Sequence, residues 1–505
     1  LQKRGKRMEV ATHFIHPDEI SPQSLMIISE LVKCGIAVYI QTPFLKACND
    51  EGPELVRLFS LLRGAGAELH YLYIPCSPIH GNSIYWTPIS KGIAVGNYLR
   101  AHLSDRVIPR VNTATPIGKM DWHTSGWAVE PVAGNDNFMW IRTPYTPDYF
   151  KQFAPLSSEM ENIRVNSEGT IDIHYMAQIG DDALFLGARP PRPADRATTG
   201  MVSTDEILPM VLDRETIAPS IVDTGSSTIS RVHETRVEIN ADGNEADLDY
   251  IRNNEKITDV VVVSETDAID SLFQISKIIT ALGEMPHVNA VRLRSLKFNY
   301  EPQSYTPVVI DKLAGLNKLT MVNPLRLEIE TQFLVADEFQ PEHTRLARLL
   351  SNKGITVYNN TPLLGRINDT PDAIHHLAYA CRRAGIEFHH LYVAGLSIQT
   401  QWNTKNPVAL YDVIDIATRV RREGSGREVP RYIIRTVLGE VDFGLSSIIT
   451  GEGKNLSVKL LPYDLSYFKA LSSDFTWPED AREDVDGKPI VSVAGLLKIT
   501  DFALS

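Results

Sequence analysis

Two histidines and two carboxylates crowd the stretch Thr12-His13-Phe14-Ile15-His16-Pro17-Asp18-Glu19, a donor set that could hold a divalent metal at the end of a strand. Side chains three residues apart on a strand point to opposite faces, so His13 and His16 converge only if the chain turns at Pro17. Metal-dependent hydrolysis is one reading of these residues. Polar side chains satisfied by nearby backbone are the plainer one. Lys119 follows a glycine in Pro109-Arg-Val-Asn-Thr-Ala-Thr-Pro-Ile-Gly-Lys119, and taken alone such a lysine is a solvated surface side chain, because an unpaired ammonium is costly to bury. The four cysteines, Cys34, Cys48, Cys76 and Cys381, stand far apart without CxxC spacing. That argues against a disulfide scaffold or a four-cysteine zinc site and fits a reducing cytoplasm.

The elements that would position these groups alternate between strand and helix. Arg7 to Phe14 is short and apolar-rich, Ser21-Pro-Gln-Ser24 offers an N-cap followed by proline, Leu25 to Val32 has helical spacing, and Gly35 stops it. Ile36 to Ile40 reads as the next strand, Glu54 to Leu62 as a helix ended by Gly64 and Gly66, and Leu69 to Ile74 as another strand. Strands separated by single helices imply parallel βαβ units. The expected fold class is therefore α/β, with partial (β/α) TIM-like barrel units whose chemistry sits at the C-terminal strand ends.

The unit occurs twice. Thr12-His-Phe-Ile-His-Pro-Asp-Glu19 returns as Thr331-Gln-Phe-Leu-Val-Ala-Asp-Glu338, an offset of 319 residues. Gly35 to Leu45 matches Gly354 to Leu364, and His70 to Tyr73 matches His389 to Tyr392, at the same offset. Pro144-Tyr145 and Tyr149-Phe-Lys151 return as Pro462-Tyr463 and Tyr467-Phe-Lys469. Register kept over so many residues points to duplication. The second copy is preceded by further strand and helix patterns, from Asp259 to Val263 and onward, that have no counterpart ahead of Arg7. The first copy is therefore expected to lack its front portion. The divisions expected are a half barrel over 1–150, a linker with a small β element over 151–257, a second barrel unit over 258–475 and a tail over 476–505.

The motif around His13, together with Gln41-Thr-Pro-Phe-Leu-Lys-Ala-Cys-Asn-Asp50 and Thr87-Pro-Ile-Ser-Lys-Gly92, resembles the lysine 2,3-aminomutase family of radical S-adenosylmethionine enzymes. The resemblance covers residues 7–120 well and 258–440 weakly. It implies an isomerase that moves an amino group between carbons 2 and 3 of an amino acid, using a [4Fe-4S] cluster, S-adenosylmethionine and pyridoxal 5′-phosphate. By the same resemblance His13 and Gln41 match contacts to S-adenosylmethionine, Tyr73 a tyrosine near the cofactors, and Lys119 the lysine that holds pyridoxal phosphate. The segment before Lys119 is two glycines shorter than the family's. The Cys-x₃-Cys-x₂-Cys run that binds the family's cluster is not found among the 505 residues. The two aspartates that bind the far ammonium of lysine fall at Cys76 or Ser77 and at Ala114. With neither anion present, an amino acid other than L-lysine is the expected small-molecule substrate. In the second copy His13 becomes Gln332, Gln41 becomes Asn360 and Lys119 becomes Glu440. That copy is read as a scaffold whose catalytic groups are gone, and a non-catalytic protein binding a small ligand or a partner subunit remains the alternative for the whole.

Composition bounds the rest. With 50 Lys+Arg against 62 Asp+Glu the formal charge is −12, so there is no basic field for nucleic acid or an anionic membrane. No apolar run reaches the roughly 18 residues of a membrane span, and Leu1 to Arg7 lacks the apolar core of a signal peptide. A cytoplasmic protein able to form a homo-oligomer, with no resident metal ion at these side chains, is expected.

Overall fold

The computed structural model describes residues 7–74, 83–115, 117–121, 129–152, 162–176, 200–212, 217–320 and 323–498. Its first unit is a five-stranded sheet in the order β1 (Glu9–His13), β2 (Ala37–Pro43), β3 (Glu68–Ile74), β4 (Arg110–Thr115) and β5 (Gly118–Asp121). The first four strands are parallel, and β5 returns antiparallel to β4. Helices α1 (Pro22–Lys33), α2 (Gly52–Gly64) and α3 (Ile89–His102) make the crossovers. α1 starts where Ser21 Oγ accepts the Ser24 N–H and Pro22 stands at the first helical position. α2 turns Leu55, Leu58, Phe59 and Leu62 into the core, which is the apolar stripe that helical spacing predicts.

A small antiparallel sheet follows, in the order β6 (Val129–Val132), β7 (Asn135–Arg142), β9 (Ile171–Met176) and β8 (Ile163–Val165). It lies on both sides of residue 150, so that position is not a boundary between sheets. Its Met139, Ile141, Ile173 and Tyr175 pack into the core of the first unit.

The second unit is a nine-stranded sheet, nearly closed into a barrel. It begins with the hairpin β10 (Ile229–His233) and β11 (Arg236–Asn240), and continues in parallel through β12 (Asp259–Val263), β13 (Ala290–Arg294), β14 (Arg326–Thr331), β15 (Thr356–Pro362), β16 (Glu387–Ala394) and β18 (Arg431–Thr436). The hairpin strand β19 (Gly439–Asp442) closes the order. Near the open seam, Arg236 on β11 pairs with Glu440 on β19 at 3.0 Å. Helices α4 (Glu245–Arg252), α5 (Leu272–Leu282), α6 (Pro307–Leu316), α7 (Pro341–Ser351), α8 (Pro371–Ala384) and α9 (Leu410–Glu423) cover it. Strand β17 (Val408–Ala409) pairs with β24 (Leu496–Leu497), and β20 (Ser447–Glu452), β21 (Asn455–Leu460), β23 (Pro489–Val493) and β22 (Ala481–Glu483) form a further sheet.

Two expected divisions change. The second unit starts at β10, not at 258, and residues 476–498 are not a tail, because Val491, Val493 and Leu496 belong to its core. The hairpin carries no clear strand signal in the sequence because Arg231, His233, Arg236 and Glu238 interrupt its apolar pattern. All four are buried, which interior hydrogen bonds and ion pairs make tolerable.

The units repeat each other's local contacts. Thr42 Oγ1 donates to the Phe14 carbonyl at 2.9 Å, and Thr361 Oγ1 to the Phe333 carbonyl at 2.8 Å. Asn49 donates to the Pro43 carbonyl at 2.8 Å, and Asn368 to the Pro362 carbonyl at 3.1 Å. The units meet largely through the N-terminal ends of their strands, where Glu9, Glu68, Arg326, Glu328 and Glu387 lie. No helix among the described residues is long and apolar enough to cross a membrane.

Candidate functional site

The C-terminal half of the first sheet brings Gln41, Tyr73 and Lys119 together. A register shift between Ile40 and Gln41 sets Gln41 opposite Tyr71 and Pro43 opposite Tyr73, while the β4–β5 hairpin sets Lys119 opposite Ala114. Lys119 Nζ donates to the Tyr73 hydroxyl at 2.6 Å, and that hydroxyl donates to Gln41 Oε1 at 2.9 Å. Gly118, at φ +138°, makes the hairpin possible, since a Cβ there would come within 2.5 Å of the Tyr145 ring. The Tyr145 hydroxyl in turn donates to the Lys119 carbonyl at 3.0 Å. The lysine is thus fixed at its backbone and at its amine.

Its surroundings weaken the ammonium. Nζ lies 4.8 Å from the Tyr71 ring centre and 5.1 Å from that of Tyr73. Burial lowers the Lys119 pKa, and the positive charges of Arg421 and Arg110 lower it further, against the opposing pull of Tyr71 and Asp121. Burial also raises the pKa of Tyr73, which keeps its phenol neutral and able to donate. Asn112, opposite Tyr73 on β4, is fully buried with its Oδ1 unpartnered. Such a lysine has a larger share of free amine than a solvated one, which is what an attacking amine needs.

His13 stands in register with Gln41 on the neighbouring strand and is exposed. Ala114 is half-buried on β4. Cys76 and Ser77 lie outside the described residues. The metal reading of the first motif loses its geometry. The chain does turn at Pro17–Glu19, but His16 Nδ1 accepts the Asp18 N–H at 3.2 Å and Glu19 accepts the Ile15 N–H at 2.8 Å. A closer donor set is Asp105, His389 and His390, with ligand atoms within 4.8 Å of one another. Arg236 and Arg292 hold the Asp105 carboxylate at 2.5 and 2.7 Å, and burial together with Arg106 pushes His389 down to about 4. A dication would have to displace guanidinium groups, so this trio is part of an ion-paired core. Tyr71, Asp121 and Arg421 sit in no local catalytic motif; the one signal for Asp121 and Arg421 in the sequence is that the spacing of Arg100 and Asp121 recurs in Arg421 and Asp442, an offset of 321 residues.

The equivalent place in the second unit is filled differently. Tyr392 donates to Glu440 Oε1 at 2.9 Å, so a carboxylate takes the lysine's position on the tyrosine. Arg236 neutralises it. The Tyr463 hydroxyl donates to the Glu440 carbonyl at 2.9 Å, as Tyr145 does to Lys119. Gln332, Asn360, Tyr392, Glu330, Arg294 and Arg435 line a cavity of about 70 Å³ at these strand ends, room for a few water molecules.

No protein-family model matches the chain. It is 36% identical over 110 residues to a putative L-lysine 2,3-aminomutase of Aquifex aeolicus, covering 22% of this chain and 30% of that protein. It is 28% identical over 187 residues to an L-lysine 2,3-aminomutase of Clostridium subterminale, covering 37% and 42%. A glutamate 2,3-aminomutase of Clostridioides difficile is 27% identical over 193 residues, covering 38% and 43%. The chain therefore spans less than half the length of each of these relatives.

Proposed function

The chain is related to the lysine 2,3-aminomutase family, and from that relation we propose that its first unit is an aminomutase-type site acting on an amino acid other than L-lysine. Lys119 would hold pyridoxal phosphate, Tyr73 would adjoin it, and His13 and Gln41 would contact S-adenosylmethionine. Ala114, with Cys76 or Ser77, would leave a distal ammonium without a counter-ion. The second unit would be a copy of the first, kept as framework. The observation that carries this reading is the Lys119–Tyr73–Gln41 chain, a half-buried lysine with a weakened ammonium at the C-terminal strand ends.

Bound pyridoxal phosphate would supply a carbonyl able to take up an amine and a ring able to spread charge. The chain's own residues prepare for it. Burial and the nearby guanidinium groups favour the free amine of Lys119, Tyr73 accepts one of its hydrogens and so fixes its direction, and Gln41 accepts from Tyr73 so that the phenol cannot turn away. The iron–sulfur cluster does not fit this chain's cysteines. Cys34 is exposed, Cys381 is buried in the second unit, and no three cysteines share a short segment. Turnover therefore requires a cluster carried on another segment, and iron and sulfide added to these 505 residues are expected to yield no 5′-deoxyadenosine.

Incubation with pyridoxal phosphate, reduction with borohydride and peptide mapping test the cofactor assignment. The expected outcome is a reduced adduct on Lys119. Labelling elsewhere, or none, would refute it and leave a non-catalytic framework in both units.

A further inference from the structure

The joint between the units is reciprocal. Arg63 of the first unit meets Glu328 of the second at 2.7 Å, and Arg382 meets Glu9 at 2.9 Å. Arg382 and Glu328 are the residues that stand 319 positions after Arg63 and Glu9. Arg106 lies 4.6 Å over the Tyr358 ring while Arg427 lies 3.0 Å over that of Tyr39. The same two arginines reach His389 at 3.2 Å and His70 at 3.1 Å. Two units touching at random have no reason to repeat a contact with the partners exchanged. A two-fold, self-complementary interface requires it. The second unit thus stands on the first as a second subunit would.

One reciprocal pair reaches the candidate site. Arg100 forks onto Asp442 at 2.9 and 2.7 Å, and Arg421 forks onto Asp121 at 2.6 and 2.7 Å. Asp121 and Asp442 follow Lys119 and Glu440 by two residues on their hairpin strands, so each shares its strand face with that residue. Arg421 makes a further contact beyond its fork. Its Nη1 donates to the Tyr71 hydroxyl at 3.0 Å, and the Tyr71 ring lies 4.8 Å from Lys119 Nζ. The residue matching Tyr71 in the second unit is His390, whose Nε2 is buried without a partner.

We propose that Arg421 of the second unit is a positioning residue of the Lys119 site, delivered across a joint in which that unit takes the place of a two-fold partner. It fixes the Tyr71 ring beneath the amine and brings a permanent positive charge close to it. Among the described residues, the charged and titratable groups around Lys119 are His70, Tyr71 and Tyr73 on β3, Arg110 on β4, Asp121 on β5 and Arg421 from across the joint. Arg421 itself keeps its charge despite burial, because Asp121 and Tyr71 hold its pKa above the usual value. The proposal rests on Lys119 being the reactive amine.

Competitive acylation of the full chain across pH, with peptide mass spectrometry, reads the apparent pKa of Lys119 without any cofactor. Arg421→Gln is expected to raise it by about one unit, roughly a tenfold loss of labelling rate where the amine titrates. Asp121→Asn is expected to lower it. Arg100→Gln, which removes the matching fork on the far side of the joint, should leave it unchanged. Equal shifts in Arg421→Gln and Arg100→Gln, or no shift in the first, would overturn the proposal, as would Arg421→Gln and Asp121→Asn moving it the same way. If the neutral variants do not fold, Arg421→Lys keeps the charge and should hold the pKa within about 0.3 unit; an upward shift there would also overturn it. Lys119 shifting as expected but forming no pyridoxal adduct would refute the cofactor assignment and leave the role of Arg421 standing.

Discussion

The two units share a frame and differ in what stands on it. Thr42 and Thr361, Asn49 and Asn368, and Tyr145 and Tyr463 satisfy the same backbone groups in the two sheets. At the hairpin, Lys119 in one becomes Glu440 in the other, and the surroundings follow. The lysine is half-buried among Tyr71, Arg110 and Arg421, whereas the glutamate is buried and paired with Arg236. The difference teaches that residues satisfying buried backbone are harder to replace than residues doing chemistry, because each lost partner leaves an orphaned group worth roughly 1–3 kcal/mol.

The sharpest way to break this comparison is at the amine itself. Lys119→Ala should abolish the borohydride-stable pyridoxal adduct, a loss of two orders of magnitude or more on the order expected for removing a covalent attachment point, while Glu440→Gln leaves the adduct in place. Peptide mapping reads both, and an adduct surviving Lys119→Ala would sink the distinction between the units.

The next effect compares the two sides of the joint. Glu328 is fully buried between Arg63 and Arg106, so Glu328→Gln should cost about 3–5 kcal/mol by leaving guanidinium groups uncompensated. Chemical denaturation measures it. A cost below about 1 kcal/mol would mean the joint is wetter than its geometry indicates.

A pH dependence separates the same turn in the two units. Burial raises Glu338 to about 7, against the ordinary carboxylate value of 4.5. Between these values the folded state holds a proton that the unfolded chain has lost, so stability falls as pH rises through this window and levels off above it. Glu338→Gln should flatten that slope, with a difference of about 1–3 kcal/mol between pH 5 and pH 8 in denaturant midpoints. An unchanged slope would assign it to other groups.

The smallest effect is the reciprocal of the second. Glu9 is partly exposed, with 18% of its side-chain surface accessible beside Arg382, so Glu9→Gln should cost about 1 kcal/mol or less. A cost equal to that of Glu328→Gln would show that the two halves of the joint are energetically alike.

Much of the frame was legible in the chain. The first three parallel strands of the first sheet fall where apolar segments and glycine stops put them, because local periodicity and turn residues report burial directly, while β4 carried no such signal. Gln41 and Tyr73 could be marked from their motif, and Lys119 from the residues before it. The hairpin β10–β11 was not readable, since Arg231, His233, Arg236 and Glu238 look like surface residues until their partners are known.

By itself, then, the sequence determined the α/β alternation, the recurrence at 319 residues and the presence of Glu440, Asn360 and Gln332 where the first unit has Lys119, Gln41 and His13. Only the tertiary structure decided that the two units meet through exchanged ion pairs, and that Arg421 ends beside Tyr71 and Asp121, 300 residues from the carboxylate it holds. The reason is physical. Periodicity records which way a side chain faces, but the partner of a buried charge is set by three-dimensional approach, which no local pattern encodes.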